Sequence, residues 1–373
     1  MNSEIDGKEE GEDFKRMAFQ LLTEFTFSTI QSLVDTSSSL RALELNRPYW
    51  SHAGKAAGLF LKKQLGLENQ DMSTVAYSFR VIELTFGREM IWSNDENAPI
   101  TTICPFKDAP PEFCILFDVV VGNGFLESLS PDYEIVMEEM MSQGAPYCKS
   151  ILRLKGSEVL IPPLKDVPNV DLTREQLDDL AIQYLGEHWV MATRAALDFE
   201  DSPETFSLLK MRMRQQGMSK ALHYRQMLGI QGDDVYAIGA ILDFLNSLLR
   251  QEGKTVSSSK DFVEKEIVQC PFRDSPGAIC DQLEAFTNGV CEAINSEFEL
   301  VHKGAMCKGD SKCSRVVKRK GTALKEKHNV VDRTEEITPL IVLEMRLAKG
   351  EISLEEFERT IASLKKHGLA KQV

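Results

Sequence analysis

The chain has 373 residues, a length that suggests two or three domains, and its 43% apolar and 27% charged content is that of an ordinary globular protein. A formal net charge of −14 excludes a general nucleic-acid binder, whose phosphate contacts need a basic surface. No apolar run approaches the roughly 18 residues of a bilayer span, and the acidic start MNSEIDGKEEGEDFKRM lacks the apolar core of a secretory signal. A cytoplasmic protein that engages neither nucleic acid nor membrane is therefore expected.

In chain order, residues 1–13 read as a disordered acidic tail. From Phe14 to about Phe86 the periodicity is helical, with breaks expected at Asn46-Arg-Pro48 and Gly66. Strands are expected at 88–94 and 99–104, a helix from Glu112 to Leu129, and strands around Tyr133–Met137 and over Tyr147–Lys155. Residues 14–155 thus form one module. The Pro-rich stretch 156–172 reads as a linker, and Thr173-Arg-Glu-Gln176 as a capping box opening a second module, 173–320. After a linker at 321–334, residues 335–373 read as a helical hairpin that self-associates, since some 30 residues bury little alone.

The second module repeats the first. CPFKDAPPEFC at 104–114 recurs as CPFRDSPGAIC at 270–280, a constant offset of 166. GREMIWSND at 87–95 is set against GKTVSSSKD at 253–261 at the same offset. Beyond one deleted residue, 132–148 lies over 297–313 and Cys148 meets Cys313 (313 − 148 = 165). The fold expected is α+β: two tandem copies of a helical bundle packed on a small antiparallel sheet, with the C-terminal hairpin appended.

Eight cysteines without a secretory signal point away from structural disulfides and towards buried thiols, metal ligands or catalysis. Copy two adds Cys291, His302 and Cys307 where copy one has Phe125, Met137 and Ser142. Zn²⁺ would be held by some of Cys280, Cys291, His302, Cys307 and Cys313, since zinc favours thiolate and imidazole, although no C-x2-C pair is present. Alternatively Cys270 or Cys104 is a nucleophile beside Asp274 or Asp108. The same aspartates are equally placed to cap the helix that follows, and the same thiols could simply pack a core. His52, His188 and His223 occupy no matching positions in the copies, which argues against shared catalysis through them.

With CPF-x7-C and Gly309-Asp310-Ser-Lys-Cys313 in view, each module resembles the L-2-amino-thiazoline-4-carboxylic acid hydrolase-like family. Copy one departs from that turn, with Gly144-Ala-Pro-Tyr-Cys148. The turn is also similar to that of 4-vinyl-reductase-type domains, and the tail resembles the SHOCT oligomerisation domain through Leu347-Ala-Lys-Gly-Glu-Ile352. The first resemblance implies hydrolysis of a cyclic amidine or thiazoline through the cysteine-rich site of copy two. The second implies a non-catalytic sensor or carrier of a small apolar molecule, with cysteine-bound zinc.

Overall fold

Three helices open the chain, α1 (Asp6–Thr36), α2 (Ser39–Gln64) and α3 (Met72–Thr85), in the computed structural model, which describes residues 6–64, 72–93, 98–157 and 170–322. They are followed by β1 (Glu89–Ser93), β2 (Ala98–Ile103), α4 (Pro111–Cys114), a π-helical segment (Ile115–Val121), α5 (Gly122–Leu129), β3 (Tyr133–Glu139) and β4 (Cys148–Leu154). The same order returns as α6 (Arg174–Leu197), α7 (Ser202–Met227), α8 (Val235–Leu248), β5 (Glu252–Ser259), β6 (Phe262–Gln269), α9 (Gly277–Ile294), β7 (Phe298–Gly304) and β8 (Cys313–Arg319). Both sheets are four-stranded and antiparallel, ordered β1-β2-β4-β3 and β5-β6-β8-β7. The protein is α+β.

Two compact units partition the chain: Phe19–Ser207, and Met1–Ala18 with Leu208–Val373. In the first, aromatic rings dominate the core. Phe106 meets Phe19, Phe86, Phe113 and Phe117 at centroid distances of 5.1–5.8 Å, and Trp50 and Trp189 are fully buried. A second cluster joins Leu61, Val75, Val81, Phe125 and Leu152. Helix α6, expected to open the second module, packs on α2 and α3 of this unit. Its Trp189 sits 4.9 Å from Phe25, so burial of its apolar face overrides sequence adjacency.

Close helix crossings recur in both units. A Cβ at Gly54 of α2 would fall 2.2 Å from the Val121 carbonyl oxygen, and one at Gly124 would fall 2.3 Å from that of Ser51. In the second unit Gly217 and Gly289 stand in the same relation to Phe286 and Arg214. Only glycine lets the two backbones approach so nearly. A side-chain clamp also recurs. The Asn123 amide donates to the Ile135 carbonyl and accepts from its N–H, both at 2.9 Å, and Asn288 does the same to Leu300.

These pairs correct the alignment. The glycines of α2 and α7 lie 163 apart (217 − 54), Cys114 of α4 and Cys280 of α9 lie 166 apart, and the asparagines 165 apart (288 − 123). The extra residue of the first half therefore falls between Cys114 and Asn123, where the helix takes up π-helical turns, which absorb one inserted residue. Cys291 consequently corresponds to Leu126 and not to Phe125. The left-handed residues that precede the sheets are Gly87 and Arg250, so Gly87 corresponds to Arg250 (250 − 87 = 163) and not to Gly253. The three extra residues of the second half enter its longer first hairpin.

Other expectations change as well. Pro48 lies inside α2 and does not break it. The Asn46 side chain donates to Ala42 and accepts from the indole of the buried Trp50, and this packing holds the helix through the missing N–H. Helix α1 begins at Asp6, inside the segment read as a disordered tail, where Lys8, Glu9, Glu10 and Glu12 are good helix formers. The Thr173–Gln176 capping box forms as expected. No helix among the described residues is long and apolar enough to cross a membrane. The proposed hairpin, 335–373, lies outside the described residues, as does most of the linker before it.

Candidate functional site: a buried charge cluster in an apolar cavity

Two acids stand out in apolar runs of the first half, Glu83 in Val81–Phe86 and Asp118 in Ile115–Val121. Helix α3 places Glu83 and the π segment places Asp118 against Arg88, which follows the left-handed Gly87. The Arg88 guanidinium lies 2.5 Å from Asp118 and 3.2 Å from Glu83, and only 4% of its side chain is exposed. Burial opposes the charge on Arg88, and the two acids overcome it, so the guanidinium is held firmly protonated. Glu83 is pushed up to about 7 by burial, with Arg88 opposing and Asp118 adding to the rise.

This cluster lines a cavity of about 70 Å³. One water needs roughly 10–15 Å³ on the same measure, so there is room for several waters or one small ring. Phe79, Phe86, Phe117, Ile135 and Leu152 form apolar walls, and Ser150 and Thr101 come from the sheet. Helix α6 contributes Tyr184 and His188. His188 Nδ1 lies 2.6 Å from the Tyr184 carbonyl and so must be the protonated nitrogen. Its Nε2 then carries a lone pair, and neither that nitrogen nor the Tyr184 hydroxyl has a hydrogen-bond partner among the described residues. Burial lowers the His188 pKa to about 4, with the Tyr184 carbonyl opposing, and the ring is neutral at pH 7.

These two groups give opposite pH slopes. The folded-state pKa of Glu83 is raised, so the stability linked to its proton is complete below about pH 4.5 and is lost as pH rises through 7. His188 is depressed, so its contribution is present above about pH 6.5 and is lost as pH falls through 4. Glu83→Gln is expected to flatten the decline in stability between pH 5 and 8, on the order of 3 kcal/mol in the native chain. Urea midpoints across that range would show it, and a parallel decline in both proteins would contradict the assignment.

The residues singled out from the sequence behave differently. Cys104 and Cys270 are partly buried, and burial raises both thiols, Cys104 to about 11. Asp108 and Asp274 are exposed on the turns that follow. Neither makes a hydrogen bond or ion pair among the described residues, so they are not placed as acid–base partners. They do not cap the next helices either, whose N-cap positions are Pro110 and Pro276. The phenylalanine of each CPF motif is core, Phe106 and Phe272 being 2% and 5% exposed.

The proposed zinc ligands do not converge. Among the described residues no three His, Cys, Asp or Glu side chains are grouped to hold a metal. Cys280 is disulfide-bonded to Cys307, against the expectation of free thiols. Cys291 lies eleven residues along α9 from Cys280, about 16 Å at 1.5 Å per residue, and is fully buried. His302 approaches Glu284 at 3.5 Å. Cys313 accepts a hydrogen bond from the Met306 N–H at 3.2 Å, as Cys148 does from Met141 at 3.3 Å. Gly309 takes a left-handed φ of 99°, and Asp310 accepts from the Ala305 N–H at 2.7 Å. The Gly-Asp-x-x-Cys motif thus builds a turn. Comparison with protein-family models, with curated proteins and with solved structures yields no match to this chain.

Proposed function

We propose that the chain is a non-catalytic binder, a sensor or carrier, of a small molecule with a ring-sized apolar body and a polar end. The observation that carries this is the cavity of the Phe19–Ser207 unit, apolar on most sides with Tyr184 and His188 presenting an unpartnered donor and acceptor. Pockets of this composition take apolar ligands and orient them with a few polar contacts. Hydrolysis through the cysteine-rich second half draws less support. Burial raises the Cys270 thiol, whereas a nucleophilic cysteine needs a depressed pKa or an adjacent base.

Indole and phenol are suitable probes, each a ring with one donor. Isothermal titration of the full chain is expected to show one site. Ser150→Leu, which fills the cavity from the sheet side, is expected to abolish that heat while leaving the circular dichroism unchanged. Equal heats from both proteins, or none from the native chain with either probe, would overturn the proposal.

A further inference from the structure

A guanidinium is buried at corresponding places in both units, but its surroundings differ. With the alignment given above, Glu83 and Arg88 of the first unit correspond to Asn246 and Gln251 of the second (246 − 83 = 163 and 251 − 88 = 163). The turns that carry them are alike: Gly87 and Arg88 donate to Leu84 and Glu83, and Arg250 and Gln251 donate to Ser247 and Asn246. In the second unit the guanidinium comes from the sheet, as Arg315 of β8, where the first unit has Ser150 (315 − 150 = 165). It is 8% exposed. Its Nη1 donates to Asn246 Oδ1 and Gln251 Oε1, both at 3.0 Å. An arginine paired with two acids in the first unit is thus met by two neutral amides in the second.

Arg315 has no direct ion pair among the described residues: Glu284 of α9 acts on it from a distance and lies 3.5 Å from His302. Across the sheet, Lys265 of β6 and His302 of β7 lie directly opposite it on either side. Lys265 is buried and pairs with Asp243 of α8 at 2.6 Å, which uses the acid on that side. Like charges facing each other on adjacent strands are destabilising, and a buried cation without a counter-ion is costly. No carboxylate lies within ion-pair distance of Arg315 among the described residues. Burial and Arg315 itself hold His302 neutral, near 3. With Nη1 occupied, the edge formed by Nε and Nη2 remains, and Nε–H has no partner. That edge is the one with which arginine grips a carboxylate through two parallel hydrogen bonds.

We propose that the second unit binds a small carboxylate on the Nε–Nη2 edge of Arg315, the ligand supplying the negative charge that Glu83 and Asp118 supply to Arg88. Gln251 carries the site one step further, since its amide nitrogen donates to Cys270 Sγ at 3.3 Å. The thiol of the second Cys-Pro-Phe motif is thereby linked to the guanidinium through Gln251, on its Nη1 side.

Thermal unfolding of the full chain in sodium acetate or sodium benzoate, against sodium chloride at equal ionic strength, tests this. The midpoint is expected to rise with the logarithm of carboxylate concentration. Asn246→Asp supplies an internal counter-ion at the position of Glu83. It is expected to raise the midpoint in chloride alone and to remove the response to carboxylate. Arg315→Met is expected to unfold in chloride no earlier than the native chain and to ignore carboxylates. Identical native midpoints in acetate, benzoate and chloride would overturn the site, as would an undiminished carboxylate response in Asn246→Asp. Alkylation of Cys270 by iodoacetamide at a thiolate-like rate at pH 7, without any carboxylate effect, would assign the counter-charge to the thiol and also overturn it.

Discussion

Asp118→Ala is expected to lower the unfolding free energy by about 3–5 kcal/mol, the range for removing one partner of a buried ion pair. The cost comes from what is left behind. Arg88 stays in place with 4% of its side chain exposed, and its remaining neighbour is Glu83, a carboxyl that burial has raised to about 7. Removing Asp118 also removes one cause of that rise, so Glu83 ionises at lower pH in the variant, and the variant loses less stability than the native chain as pH climbs through 7. The loss should therefore be larger at pH 6 than at pH 8. Replacing the cluster as a whole, with Arg88→Met, Glu83→Leu and Asp118→Leu, is expected to recover most of the stability, because apolar groups of similar volume leave no orphaned charge. Urea denaturation at both pH values measures each step. A loss below 1 kcal/mol for Asp118→Ala at pH 6 would mean that water reaches Arg88.

Phe106→Ala carries the second large effect, about 3–5 kcal/mol by the scale for deleting a buried ring. Phe106 lies among Phe19, Phe27, Phe86, Phe113 and Phe117, with ring centroids at 5.1–6.4 Å. Removing it withdraws a face from each of those contacts at once. Asp108→Ala, two residues along the same motif and exposed, should change stability by no more than about 0.5 kcal/mol. The contrast separates a packing motif from a chemical one. If Asp108→Ala were the more damaging of the two, the motif would have to be reconsidered as a reactive site.

The Cys-Pro-Phe segment shows what sequence could and could not deliver. Its recurrence marked equivalent places in the two halves, and the strands before it followed from alternation and turn residues. Thr173 and Gln176 were legible because a capping box is complete within four residues. What a side chain touches across the fold was not. Tyr184 and His188 line the first unit's cavity from a helix that sequence order assigns to the second module, and no local pattern reveals that packing. The π-helical turns around Asp118 hide a one-residue insertion, which displaced the alignment of Cys291 from Leu126 to Phe125. Cys280 and Cys307 meet only because a helix start and a turn 27 residues later come together. One signal was available: an acid alone in an apolar run, as at Glu83 and Asp118, is costly unless paired, and so predicts a buried partner.

The asparagine clamps bear on how the chain behaves in company. Strands β3 and β7 each lie at the margin of a sheet, where exposed N–H and C=O groups would template strand addition by another chain and, from there, fibril growth. Asn123 and Asn288 occupy both groups of Ile135 and Leu300 with a side chain. Each margin is thereby closed at its centre by a residue of the chain's own helix, in the manner of a stopper and not of a partner strand.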